Sequence, residues 1–214
     1  MNDICKHEGK KVLLVEGKDD CHVILALCAY YKIPETFGIY ECGNDISLLK
    51  RLNALILQPA PPETIGIVLD ADISDIMSRW QQIQQKTKEH GYGFPPSPVP
   101  GGTILPENED LPTIGIWLMP DNQTSGMLED FLMRMVDKEA LQTAADCIAN
   151  AKQKGMASYK SAHHSKAVLH TWLSWQDEPG KPLGLAITAN VLKPETGLAN
   201  QFVNWLQQLF NVKR

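Results

Sequence analysis

The sequence predicts an α/β fold: a mainly parallel sheet of about four strands, flanked by helices on both faces, with a helical C-terminal extension. Three observations carry this. Short apolar runs alternate with stretches of helical length and periodicity through residues 11–137. The runs are apolar at nearly every position, as expected of strands covered on both sides. The chain, 214 residues long, is 43% hydrophobic and 21% charged. That is globular composition, at a size that buries a core without help from a disulfide or structural metal.

Lys11–Glu16 (KVLLVE) is the first strand and stops at Gly17. Asp19 or Asp20 then caps a helix running through CHVILALCAYYK. Phe37–Glu41 is the second strand, and Asp45 is placed to cap a helix over ISLLKRLNALIL, which Pro59–Pro62 ends. Thr64–Asp70 (TIGIVLD) is the third strand, followed by an amphipathic helix over Ser74–His90. Gly91–Pro112 is dense in proline and glycine and reads as a loop, or a loop around an irregular ribbon with Thr103–Leu105 as a strand candidate. Such a loop can gate a site or be an inert insertion. Thr113–Met119 (TIGIWLM) is the fourth strand and repeats the Thr-Ile-Gly-Ile of the third, an echo of similar strand environments. Helices are expected to start at Met127 and to cover Lys138–Ala149, Ser165–Trp175 and Leu198–Phe210, with a break at Pro179–Pro182. The organisation expected is an α/β domain over residues 1–149 and a basic helical extension over 150–214 packed on it.

Charge divides along the same line. Residues 1–149 hold twelve Lys/Arg against twenty-two Asp/Glu; residues 150–214 hold eight against three. A net charge of −5 argues against a general nucleic-acid coating protein. The basic tail either faces a polyanion or simply neutralises the body. Five cysteines without a C-x-x-C pair, and a polar N-terminus without a signal peptide, are read as reduced thiols in the cytoplasm. No apolar run reaches the ~20 residues of a membrane span. His163, His164 and His170 lack a zinc spacing, and no G-x4-G-K phosphate loop occurs. Trp172, Trp175, Phe202 and Trp205 can stack bases, but at helical spacing such aromatics usually belong to a core.

In parallel sheets, function sits at the carboxyl ends of the strands. Here strand one ends in Glu16-Gly17, strand three in Asp70-Ala71-Asp72, and the helix after strand four begins Leu128-Glu129-Asp130. Asp70 and Asp72, two apart, point the same way in an extended segment. Taken singly, each motif is an ordinary turn, solvated loop or helix start. Together they bring carboxylates to one edge, where mutual repulsion and desolvation are relieved by a hard divalent cation.

VEGKDD at Val15–Asp20, followed some fifty residues later by VLDAD at Val68–Asp72, resembles the Toprim domain of topoisomerases, bacterial primases and OLD-type nucleases. The resemblance covers roughly residues 10–137, and the whole chain is most similar to small stand-alone bacterial Toprim-like proteins. It implies a Rossmann-like sheet, Mg²⁺ (or Mn²⁺) on Asp70 and Asp72, and proton transfer or metal binding by Glu16. Many members carry a third aspartate where this chain has Ser74, next to Asp75. OLD-type enzymes use further acids downstream, a role that suits Glu129 or Asp130, and a lysine, for which Lys166 is preferred to Lys160. Gly17, Lys18 and Asp20 complete the candidate set. The expected activity is Mg-dependent phosphodiester hydrolysis or phosphoryl transfer on DNA or RNA; the alternative is a non-catalytic module binding nucleic acid or protein. Without a Walker motif, any ATPase motor is a separate partner protein, and a homodimer is compatible with the sequence.

Overall fold

The computed structural model describes residues 3–7, 9–72, 75–106 and 110–212. Five strands form one sheet in the order β2-β1-β3-β5-β4. They are β1 (Lys11–Val15), β2 (Gly38–Glu41), β3 (Thr64–Asp70), β4 (Thr103–Ile104) and β5 (Thr113–Met119). All neighbours are parallel except β4, a two-residue antiparallel edge on β5. The helices are α1 (Lys18–Tyr30), α2 (Asp45–Ile56), α3 (Ile76–Thr87), α4 (Leu128–Met133), α5 (Lys138–Gln153), α6 (His164–Leu173), α7 (Leu183–Thr188) and α8 (Gly197–Leu209).

The sheet separates two apolar layers. Leu13, Val15, Val68, Trp117 and Met119 face a layer made by α1 and α4–α8. Val12, Leu14, Ile65, Ile67, Ile114 and Ile116 face α2 and α3. This is the period-two alternation of strands buried on both sides. The chain leaves β1 toward one face and β3 toward the other. Right-handed crossovers require this, because β1 connects to β2 on one side while β3 connects to β5 on the other. The ends of β1 and β3 therefore diverge, and a crevice opens between them.

The repeated Thr-Ile-Gly-Ile has a physical cause. Gly66 and Gly115 are register partners on adjacent strands. Together they make a bare patch on which Leu209 of α8 rests: a Cβ on Gly115 would come within 2.4 Å of Leu209 Cδ2, and one on Gly66 within 2.5 Å of Leu13 Cδ1.

Several expectations need correction. α1 begins at Lys18 with Gly17 as its N-cap, not after an aspartate cap, and Asp20 closes a capping box by accepting from Gly17 N–H at 2.9 Å. Asn44, not Asp45, caps α2, accepting from Ser47 N–H. α7 lies within the stretch read as a break. Cys5 and Cys21 are joined in a disulfide, so the cysteines are not all free thiols and their count gives no ground for a reducing compartment. The cause is a strap formed by residues 3–7. It lies antiparallel beside β2, with Glu41 N–H on Cys5 O at 2.8 Å and His7 N–H on Ile39 O at 3.1 Å, and this brings Cys5 to the first turns of α1. The proline-rich loop is gripped from both faces of the sheet. Trp80 Nε1 donates to Pro95 O at 3.1 Å and Trp205 Nε1 donates to Thr103 O at 3.2 Å. Phe202 and Trp205 are core, as helical spacing suggests, whereas Trp175 is about half exposed. Among the described residues no helix is long and apolar enough to cross a membrane.

Candidate functional site

The crevice at the switch point is a cleft of about 270 Å³ lined by Glu16, Lys18, Asp20, Asp70, Glu129 and Lys166, with Gly17 and Gly43 in its backbone wall. Sequence positions from 16 to 166 meet here because β1, β3 and α4 end or begin at one edge, and α6 packs on α4. The described part of the proline-rich loop contributes nothing to this lining.

Each acid is held by the backbone of another element. Glu16 Oε1 accepts from Asp70 N–H at 2.9 Å, which ties the end of β1 to the end of β3. Asp70 Oδ1 accepts from Leu128 N–H at 3.0 Å, at the first residue of α4. Glu129 is buried at 4% exposure, and Lys166 Nζ lies 3.2 Å from its Oε1. Asp130 faces its own helix start and α6, accepting from Met127 N–H at 2.9 Å and from Ser165 Oγ at 2.5 Å.

The electrostatics follow from burial. Desolvation, then repulsion from Asp20, Glu16 and Glu129, pushes Asp70 up to about 9. Desolvation pushes Glu16 up to about 7 against the opposing Asp70 N–H, with Asp20 adding to the rise. Asp20 rises to about 6, again by desolvation first and despite the Gly17 N–H. Burial lowers Lys166, but Glu129 and the other acids more than offset it, and its net shift is upward.

Of the residues marked out by sequence, Glu16, Gly17, Lys18, Asp20, Asp70, Glu129 and Lys166 are brought together. Asp72 is not part of the lining. It takes a left-handed backbone at φ 56°, its N–H donates to Gly126 O at 2.8 Å, and its Oδ2 receives Arg79 Nη2 at 2.6 Å. Lys160 is exposed, just before the turn that leads into α6. Ser74 lies outside the described residues. Sequence reasoning missed Arg79, whose side chain is 5% exposed and also donates from Nη1 to Asp45 Oδ2 at 2.7 Å. The available signal was a lone arginine on the apolar side of α3, one turn after an aspartate cap.

A family model described as "Protein of unknown function (DUF3226)" matches residues 10–211. The chain belongs to this family. The DUF3226 match spans every strand and helix and leaves the Cys5 strap outside it. No curated protein and no solved structure matches the chain.

By donor type, the DUF3226 cleft fits a hard divalent cation: all-oxygen ligands that burial and mutual repulsion leave short of positive charge. The geometry is looser than the donor set. Among the described residues, no group of three or more His, Cys, Asp or Glu stands close enough together to hold an ion. Glu16, Asp20, Asp70 and Glu129 share one cleft without forming a ready cage.

Proposed function

We propose that this protein is a Toprim-like, Mg²⁺- or Mn²⁺-dependent enzyme that hydrolyses or transfers phosphodiesters of nucleic acid in the cleft between β1 and β3. The observation that carries the reading is the trio Glu16, Asp20 and Asp70. They are three carboxylates buried at a sheet switch point and pushed upward together, beside Glu129 and one lysine. Structural acids are normally paired away; acids left in this state concentrate at functional sites.

Asp70, Glu16 and Glu129 are the residues that would hold the cation. When bound, it supplies Lewis-acid polarisation of a phosphoryl oxygen and acidifies a water. The rest is the chain's own work. The Asp70 amide fixes Glu16 by Oε1, so Oε2 is the atom at which a proton is gained or lost. An acid near 7 suits that exchange at neutral pH. Lys166 and Lys18 bring positive charge to a cleft that would otherwise repel a phosphate.

The test is Mg²⁺ and Mn²⁺ calorimetry combined with cleavage of single- and double-stranded DNA and RNA. Wild type should bind and cleave. Asp70→Asn and Glu16→Gln should lower cleavage by about 100-fold or more, the scale of losing a general acid–base or electrostatic group. A silent metal titration together with no cleavage would sink the enzyme. That result would support the second reading, a binding module on the same scaffold. It is favoured by the engagement of Asp72 with Arg79 and by the lack of a three-acid ion group among the described residues.

A further inference from the structure

The D-x-D at the end of β3 does not present both acids to the cleft. Asp70 stays in line with the strand and lines the cavity. Two residues on, the backbone turns left-handed at Asp72 and bridges to Gly126. The Asp72 carboxylate meets a guanidinium that rises from α3, on the opposite face of the sheet from α1, α4 and α6.

Arg79 is held there independently of Asp72. Its Nη1 donates to Asp45 of α2 at 2.7 Å and to Gln82 at 3.1 Å. Its side chain is 5% exposed, and its buried Nε has no partner. An arginine this desolvated gains strongly from a second carboxylate, and Asp72 provides it at 2.6 Å. Asp72 has the opposite balance. Its side chain is half exposed, and it still acts electrostatically on both Glu16 and Asp70. Its carboxylate therefore stands within reach of the cleft's field while being committed elsewhere.

We infer that Arg79 is a positioning residue that withholds Asp72 from the cleft, and so sets how tightly the cleft binds a divalent cation. The inference rests on the reading above that the cleft takes such an ion. A hard cation and the guanidinium compete for one carboxylate, and cation affinity in oxygen sites follows the number of charged ligands. Releasing Asp72 should tighten binding; deleting it should do nothing while Arg79 holds it.

The experiment is Mg²⁺ and Mn²⁺ calorimetry on the full chain, with thermal melts to confirm folding, for wild type, Arg79→Gln, Asp72→Asn and the double variant. Arg79→Gln should bind about tenfold more tightly, the scale of one added carboxylate ligand. Asp72→Asn should stay within about twofold of wild type, and the double variant should lose the gain. A gain that persists in the double variant overturns the inference, since it would then be a general charge effect. So does an unchanged or weaker Arg79→Gln, or a tenfold loss in Asp72→Asn, which would make Asp72 a ligand already. Should Arg79→Gln fail to fold, the Asp72→Asn comparison alone decides. If wild type binds an ion and these outcomes fail, only this inference falls. If neither wild type nor any variant binds an ion, the metal reading falls and takes this one with it.

Discussion

Asp70 concentrates the cost of the cleft in one side chain. Ordinary aspartate titrates near 4, and here burial and neighbouring acids hold it near 9, with Glu16 near 7 and Asp20 near 6. The folded protein therefore binds more protons than the unfolded chain between about pH 4 and pH 9, and the stability from these groups is lost as pH rises through that window. In chelator, the melting temperature is expected to fall between about pH 5.5 and pH 8.5, by roughly 2–4 °C for each kcal/mol lost. Added Mg²⁺ should restore part of it at the alkaline end. A flat profile would contradict the burial of these acids. Asp70→Asn keeps the acceptor for Leu128 N–H and removes the charge. It should raise stability near pH 8 by roughly 1–3 kcal/mol in urea denaturation and abolish the Mg²⁺ effect. At this scale the sequence told half the story. Glu16 and Asp70 were legible because each follows an unmistakable strand. Arg79 was not, because nothing in a linear pattern separates a buried guanidinium from a solvated one. The turn at Asp72 was hidden too, since D-x-D reads as extended until the partner at Gly126 is known.

Among the elements, β3 and β5 are joined to α8 through missing side chains. Gly115→Ala would set a Cβ 2.4 Å from Leu209 Cδ2. It should cost about 1–3 kcal/mol by chemical denaturation, as overpacking does. Combining it with Leu209→Ala should cost less than the two separate losses together, because both act on one contact. The strap makes a different demand. The Cys5–Cys21 bridge spans a sequence separation of 16. Reduction or Cys5→Ser should cost about 3 kcal/mol. Amide exchange should quicken first at Glu41, whose N–H rests on Cys5 O. Unchanged protection there would show that the strap holds without its bridge. β3 and β5 could be read from the sequence to the residue, since fully apolar runs have sharp ends. α7 escaped because six residues are too few to show a period, and the disulfide escaped because it depends on where a strap lies.

For the molecule as a whole, the expected split into an α/β body and a basic extension meets a shared interior. α6, α7 and α8 supply buried residues to the layer that covers Val68, Trp117 and Met119. A chain cut after Ala149 would leave that face bare. It is expected to be insoluble or to lack a cooperative melt; a soluble, cooperatively melting fragment would show that the body stands alone. The alternation of strands and helices was visible in the sequence because it is local. The packing of the last sixty residues against the first strands was not, because it is set by contacts distant along the chain. The glycine pair shows what such a contact can do. Should β5 slip by one position against β3, its side chains would exchange faces, Gly115 would leave Gly66, and the hollow for Leu209 would close. The C-terminal helix can thus dock only on a sheet whose strands are already aligned, so its arrival acts as a proofreading step for the register of everything that folded before it.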